Sequence, residues 1–556
     1  MSMELRMLVA IVLSFLIFFL YQVFFVKKAP QPVPGEQTVE QKQAKESQPA
    51  VVDEDLKPIE KAPVPLEVTV PERSREGRTI TVSTPLYVAE LTENGGALKG
   101  FKLKAYRESL AAGAPMKELV GSVDKSESTL RVSFMGQAVP GLRDAVFDAD
   151  IEGGSMNVVD TSGRLVFAWR SPAGVTVRKV YTFLPDTYEI GLEIKVENRS
   201  PASINDNLTV SLVNNLPEGS SSRYVFCGPA AFVDGKLHEI KTKDVKTEGK
   251  QTGRIAWVAY EERYFVSAIV PSKVERAAMN VEVKPSGVVE TTYIDSGGPL
   301  PPQTERAYPY RVYFGPKSLE SLGMVGADLA KIVDFGFFDV IAKPFLHVMN
   351  FLYRFIPNYG IVIILITILV KLLFWPLSNK SYQSMSQMKK LQPKMAELRA
   401  KYKHDKKMMN QEIMNLYRLY KINPLGGCLP MIFQIPVFFA FYKMLYQAIE
   451  LRHAPFFLWI NDLSAPDRLF SFNLKIPMMT PPYGIPVLTI IMGASMFLQQ
   501  KMSPPPGDPT QAKMMMFMPI FFTFIFINFP SGLVLYWLVN NILSIVQQHY
   551  VTKKTG

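Results

Sequence analysis

The chain has 556 residues, 48% of them hydrophobic and 20% charged, with 61 Lys and Arg against 50 Asp and Glu for a net charge of +11. Two cysteines, Cys227 and Cys428, exclude a disulfide-stapled scaffold. The five histidines are scattered, and the lack of any Cys-x-x-Cys, phosphate-loop, zinc-protease or calcium-loop pattern excludes the common metal-driven and nucleotide-driven enzymes, so no metal or cofactor is expected.

Residues 7–26 (MLVAIVLSFLIFFLYQVFFV) form an uncharged run flanked by Arg6 and Lys27-Lys28, long enough to cross a ~30 Å hydrocarbon core as a helix. A cleaved signal peptide is the rival reading, but its apolar region is shorter and ends in a small-residue site, whereas KKAPQPVP follows here. Residues 1–28 are expected to be a permanent anchor. Residues 29–66 are rich in Pro, Gln, Glu and Lys without aromatics, which predicts a flexible tether. From 67 to 335 the pattern turns to short period-two runs, among them TLRVSF at 129–134, VTVRKVYTF at 175–183 and YEIGLEIKV at 188–196, punctuated by Asn-Gly, Gly-Gly and Asp-Gly pairs. One large all-β sandwich fits this pattern. It is open to binding a sugar or peptide or to docking partner proteins, and no carboxylate pair marks it as catalytic.

Residues 336–357 set Phe338, Ile341, Phe345, Met349, Leu352 and Ile356 at helical spacing, predicting an amphipathic helix on the outer membrane surface. Four hydrophobic stretches follow, and the last is too long for one span and carries the turn signal NFPSG at 528–532. The expected spans are therefore 358–377, 424–448, 483–500, 514–529 and 530–550, six in all with the anchor. The fold class is a polytopic α-helical membrane protein with a large all-β domain. Orientation follows from charge in short loops. Segment 378–423 carries nine Lys and two Arg against three acids, Lys501 and Lys513 flank the 501–513 connection, and Lys553-Lys554 lie in the 551–556 tail, whereas loop 449–482 is balanced. Both termini and the basic segment are expected in the cytoplasm, with the β-domain and loop 449–482 outside.

Lys371 lies inside the second span, where a basic residue at a helix centre costs about 2.5 to 3.5 kcal/mol on translocon scales. It either snorkels to the cytoplasmic headgroups or serves a function. Thr367 one turn earlier, Gln434, Gln500, Asn540 and Asn541 are polar residues of the spans that line a wet cavity with Lys371 if they converge. Pro430, Pro436 and Pro519 are expected to bend their helices. In the basic segment, Met385, Met388, Leu391, Met395, Leu398 and Tyr402 repeat at helical spacing, as do Met409, Ile413, Leu416 and Tyr420, with 403–407 as the turn. This predicts a helical hairpin. Its methionines either pack the two helices together or offer a soft surface to hydrophobic segments, and its lysines Lys389, Lys390, Lys403, Lys406 and Lys407 face lipid or ribosomal RNA.

NPLGGCLPMIFQIPVFFAFY at 423–442, with QPKMAELR, APFFLWINDLS, QQKMSP and FPSGLVLYW, resembles the YidC, Oxa and Alb family of membrane-protein insertases. The resemblance covers the whole chain and is to the Gram-negative form, with a first anchor and a large periplasmic domain. It implies a non-enzymatic insertase and chaperone of the inner membrane. The implied partners are newly made membrane proteins, the lipid bilayer, the Sec translocon (SecYEG and SecDF-type components) and the ribosome, with no role for DNA. It implies a hydrophilic groove open to cytoplasm and lipid, in which Lys371 takes the basic position, Thr367 the neighbouring hydroxyl and Trp537 the aromatic of the last span. The chain departs from the usual pattern by carrying Lys where Arg is most common, which keeps the charge and loses the planar fork. Its short 551–556 tail differs from long basic extensions, leaving the hairpin, with Met395 among its contacts, as the implied ribosome and nascent-chain surface. Two rivals predict otherwise: a transporter binding an anionic solute at Lys371, and a passive scaffold that recruits through the β-domain.

Overall fold

The computed structural model describes residues 77–121, 127–216, 225–420, 429–503 and 509–555. The expected anchor 1–28 and tether 29–66 lie outside the described residues. The chain divides into two compact units, one comprising 73–386 and 425–556, the other having 387–420 as its described part.

Strand alternation builds the β-domain. In Glu189–Asn198 every second residue is buried, and Val175–Phe183 follows the same rule over most of its length, so each strand presents one apolar face. Among the described residues, a five-stranded sheet runs in the order Met116–Val120, Ala97–Arg107, Tyr87–Thr92, Thr79–Ser83 and Ser155–Asn157. The larger sheet runs Arg131–Phe134, Leu208–Asn215, Val288–Ile294, Arg276–Val283, Lys250–Glu261, Phe265–Pro271, Thr304–Pro316, Glu189–Asn198, Val175–Phe183, Gly163–Arg170 and Asp148–Ala149, with Gly228–Val233 and Lys236–Glu239 branching from Lys250–Glu261. Pairing is antiparallel except where Thr79–Ser83 meets Ser155–Asn157. The apolar faces share one core that includes Tyr87, Phe101, Phe167, Tyr181, Val258 and Phe314. Lys179, fully buried, donates to the carbonyls of Gly95 (3.0 Å) and Leu130 (2.7 Å), and the Tyr181 hydroxyl donates to Gly96 O (2.8 Å). Gly96 has φ +51°, and a Cβ there meets Phe167, Lys179 and Phe147 at 3.2–3.3 Å, so the turn requires glycine for conformation and for space.

Eight helices follow the β-domain's last short turns: α1 Asp339–Tyr353, α2 Tyr359–Leu373, α3 Trp375–Lys401, α4 Lys406–Leu419, α5 Leu429–Gln447, α6 Val487–Met502, α7 Pro509–Phe526 and α8 Ser531–Thr555. Asn358 caps α2 by accepting from Ile361 N. Helix α1 buries Ala342, Leu346 and Met349 and packs on α2 and α5, with Phe345 edge-on to Phe441 and Tyr353 stacked on Tyr359. Val340 and Phe351 of α1 are exposed, as are Phe337 just before it and Phe355 just after it, so apolar side chains extend beyond the face the spacing indicated. Helix α8 packs on α2, α5 and α6, and α6 on α7.

Several boundaries differ from expectation for identifiable reasons. The second span, expected to continue to 377, breaks at Phe374, where α2 and α3 meet at 66° and Pro376 stands in the first turn of the new helix. The expected turn at 403–407 closes earlier, because Asp405 accepts from Lys407 N and Met408 N and starts α4 at Lys406. Helix α8 continues to Thr555 since nothing in its polar end breaks it, and Lys553 and Lys554 suit the negative end of the helix dipole. Among the described residues, no single helix is long and apolar enough to cross a membrane; α2 and α3 reach that length and hydropathy only when taken together as a bent pair.

In the second unit, Leu391 and Met395 are buried against Met388, Ile413, Leu416 and Tyr417, and the Tyr417 hydroxyl donates to Met395 Sδ at 3.4 Å. The methionines thus hold the two helices together. Lys389, Lys390, Lys403 and Lys407 are exposed; the Lys406 side chain lies outside the described residues.

Candidate functional site in the helical bundle

The bundle's polar side chains concentrate along α8. Asn540, Asn541, Ser544, Gln547 and Gln548 recur at three- and four-residue spacing, which places them as a stripe on one side of the helix. Neighbouring helices meet this stripe with polar groups. Lys371 of α2 is 7% exposed and its Nζ donates to Ser544 Oγ at 2.6 Å. Ser544 in turn donates to Asn540 O (2.7 Å), and Gln434 of α5 donates through Nε2 to Asn540 Oδ1 (3.0 Å). Further along, Asn541 Nδ2 donates to Ser495 Oγ of α6 (3.0 Å) and Gln547 Nε2 to Asn379 Oδ1 of α3 (2.9 Å).

Three of the expected residues, Lys371, Gln434 and Asn540, therefore meet in one hydrogen-bonded chain through Ser544. Thr367 is on the same helix, buried, and spends its hydroxyl on its own helix at Ile363 O (2.6 Å). Trp537 belongs to a different environment: it is half-buried among Phe438 (4.6 Å, edge-on), Phe526 (4.8 Å, edge-on) and Phe522 (6.1 Å). Gln500 is half-buried near the end of α6, and among the described residues its side chain makes no hydrogen bond to this chain of groups. Ser544 and Ser495 were missed. Their signal was available for Ser544, four residues after Asn540, whereas Ser495 becomes visible only when α6 and α8 are packed.

The electrostatics are unusual for a buried cation. Among the described residues no carboxylate neighbours Lys371. An ammonium has three N–H donors and Ser544 takes one. Lys371 is also two residues from the end of α2, whose terminal carbonyls carry partial negative charge that favours a cation. The buried oxygens Gln547 Oε1 and Gln548 Oε1 accept no hydrogen bond among the described residues. Donor and acceptor capacity is thus left over in one strip. In the β-domain two buried carboxylates are matched by cations: Glu261 by Lys317 (2.6 Å) and Glu290 by Arg143 (2.8 Å). Burial raises the Glu261 carboxyl despite that lysine, and it also pushes up the thiol of half-buried Cys227.

Comparison with known proteins assigns both halves. The family described as "YidC periplasmic domain" matches residues 79–348, and that described as "60Kd inner membrane protein" matches 351–556. The "Membrane protein insertase YidC" of Syntrophus aciditrophicus (strain SB) is 42% identical over 564 residues, covering 99% of this chain and 100% of the relative. That of Geobacter metallireducens is 41% identical over 555 residues, covering 99% and 98%. A solved structure, "Active YidC insertase crystal structure with the first transmembrane domain resolved", is 19% identical, with a TM-score of 0.38, and covers 86% of this chain and 93% of that one. With full-length identity at this level and a family match to each half, the chain belongs to the YidC family.

Proposed function

We propose that this chain inserts integral membrane proteins into a bacterial inner membrane, as the names of its relatives state of them, and assists their folding there. The observation that carries the mechanism is Lys371: a buried cation with one hydroxyl partner and no carboxylate beside it. A client's acidic or polar leading segment must leave water to cross, and an unpaired carboxylate in an apolar medium is strongly disfavoured. Lys371 offers that segment a counter-charge, while Gln434, Asn540, Gln547 and Gln548 offer hydrogen bonds partway across. Burial of the client's apolar span in lipid then drives its release from the strip. The step needs no nucleotide and makes or breaks no covalent bond.

The same reading places α2, α5, α6, α7 and α8 as spans, which with residues 7–26 gives six. Both termini face the cytoplasm, the β-domain faces the periplasm, and α1 lies at the outer surface. The hairpin α3–α4, with Lys389, Lys390, Lys403, Lys406 and Lys407 on it, is the proposed contact for ribosome or anionic lipid. Because Met395 is buried in the hairpin seam, that contact falls to the lysines and the exposed methionines, such as Met408 and Met414. Cooperation with a Sec translocon belongs to this proposal as well.

The test uses purified protein in liposomes, a short single-span client, and protease protection of the client's translocated tail. Wild type and Lys371→Arg should protect the tail; Lys371→Leu should lose about 90% or more of the protection, since a desolvated charge partner is worth well over 1.4 kcal/mol. Equal protection by Leu and Arg variants would remove the charge from the mechanism.

A further inference from the structure

The loop between α5 and α6 is built inside out. It is non-helical from 454 to 486 and includes the short hairpin of Leu469–Phe472 with Tyr483–Ile485. Three of its four charged side chains are turned onto the protein. Asp462 accepts from His453 N, Ser464 N and Ser464 Oγ. Asp467 accepts from Trp459 Nε1 (2.6 Å) and from Leu488 N at the head of α6. Arg468 donates to Pro482 O, Ile527 O and Asn528 Oδ1. Lys475 alone of the four is exposed. Ile460, Leu463 and Met479 are buried, but five of the loop's large apolar side chains do the reverse of the charges: Leu458, Phe470 and Met478 are 86%, 72% and 73% exposed, with Phe457 and Leu474 also outward.

Three of the four most exposed of these residues share a backbone feature. Leu458, Phe470 and Met478 have φ of +58°, +52° and +66°, and Phe470 stands at the irregularity between Leu469 and Ser471 in the hairpin ladder. Left-handed backbone costs a non-glycine residue of this size on the order of 1 kcal/mol or more. Here that cost holds leucine, phenylalanine and methionine away from the protein, which in water gains nothing. In hydrocarbon it does, and part of the loop's backbone is paired as a non-helical segment at that depth requires, with Phe456 N donating to Ile460 O, Leu463 N to Ala454 O and Thr480 N to Asn528 Oδ1.

Helix lengths supply the depth. Helix α6 has 16 residues and α2 has 15, so they rise about 24 Å and 22 Å. A hydrocarbon core is about 30 Å thick, which leaves roughly 6–8 Å uncovered if their inner ends, near Lys501 and Trp375, sit at the interface. The loop occupies the outer end: Pro466 bridges Pro530, Ser531 N donates to Ala465 O, and Gly532 N to Leu463 O at the α7–α8 turn.

We propose that residues 454–486 are a lipid-immersed wedge, with Leu458, Phe470 and Met478 seated among acyl chains of the outer leaflet and Lys475 reaching its headgroups. This rests on the reading of α2 and α5–α8 as spans, and the test separates the two. The unaltered protein in phospholipid vesicles is footprinted with hydroxyl radicals, and oxidation of individual methionines is read by mass spectrometry. Met135, 65% exposed in the β-domain, reports water on the same side, and Met518 on α7 reports a span. The expected result is fast oxidation of Met135 with Met478 and Met518 both several-fold slower. If Met478 oxidises as fast as Met135 while Met518 stays slow, the wedge is overturned and the spans stand. If both keep pace with Met135, the spanning reading fails together with the wedge. If Met478 slows only after a client with an apolar span is added, the surface belongs to clients and the lipid proposal is wrong. A second measurement replaces Leu458 and Phe470 by Ser; loss of the anchors should speed Met478 oxidation several-fold, and no change would count against immersion.

Discussion

Two buried lysines in one chain behave in opposite ways. In the β-domain, Lys179 gives two donors to fixed backbone carbonyls and lies between aromatic rings of Phe147 and Tyr181. Burial holds its ammonium well below the ordinary lysine range, and the charge of nearby Arg131 adds to this. That lysine is a structural crosslink between the Gly95–Gly96 turn and the larger sheet. In the bundle, Lys371 has one hydroxyl partner that is itself a link in a chain of side-chain polar groups. The same residue type gives two hydrogen bonds to fixed carbonyls in one region and one to a hydroxyl in the other, and spare coordination is what a binding site for a passing charged segment requires.

The contrast can be broken by substitution. The largest effect expected is loss of insertion in Lys371→Leu, with folding retained, since an apolar residue suits a buried helix face. Lys179→Met should do the opposite: insertion per folded molecule stays near wild type, while the β-domain loses about 2 kcal/mol because two buried carbonyls lose their donor. Chemical denaturation followed by the near-ultraviolet signal of the β-domain, alongside the liposome assay, checks both halves. If Lys179→Met proves neutral in stability, the crosslink is dispensable and the comparison loses its first term.

A pH test sharpens it at the junction of the two regions. Burial raises the Glu450 carboxyl above its ordinary range, although Asn350 Nδ2 donates to it at 3.0 Å and counters part of the shift. An acid whose folded pKa exceeds its unfolded one gives its full contribution below the unfolded value, about 4.3, and loses it as pH rises through the folded value. Protection of 449–452 against hydrogen exchange should therefore weaken as pH is raised from 4 toward neutrality. Glu450→Gln should flatten this dependence and leave the junction tight throughout; an unchanged slope would assign it to another group. Smallest is Ser544→Ala, which frees one donor of Lys371 and leaves the charge. Insertion should change by about fivefold or less, a hydrogen bond being worth about 1 kcal/mol net.

Much of this was legible in the sequence because periodicity reports burial. Alternation in 175–183 and 188–196 gave strands that are in fact adjacent and antiparallel, and the 3.6-residue spacing around Met388, Leu391 and Met395 gave the hairpin seam. Lys371 stood out since a charge in an apolar run is costly wherever it sits. What periodicity does not carry is partnership across helices. Ser544 reads as an ordinary polar residue until α2 is laid beside α8, and Gln500 reads as a groove residue until the packing leaves it apart. Thr367 shares a face with Lys371, yet its hydroxyl has a nearer acceptor one turn back, a competition that β-hydroxyl side chains in helices routinely win. The loop between α5 and α6 was legible only as balanced in charge; that three of its four charges turn inward is a matter of tertiary hydrogen bonds such as those at Asp467 and Arg468.

The short turn Ile449–Leu451 directly after α5 has one more consequence. Ile449 is part of the β-domain's own core, Arg263 stacks on Tyr446 and donates to its carbonyl (3.0 Å), and Arg452 donates to Arg107 O. The C-terminal end of α5 is thus a structural member of the periplasmic domain as well as of the bundle. Mechanically it is a shared strut: a tug on the β-domain by anything bound to it reaches the helix that holds Gln434 without crossing a flexible joint. Trimming the domain away leaves an apolar socket-filler in water, so a shortened version needs Ile449 replaced by a polar residue to stay soluble at that edge.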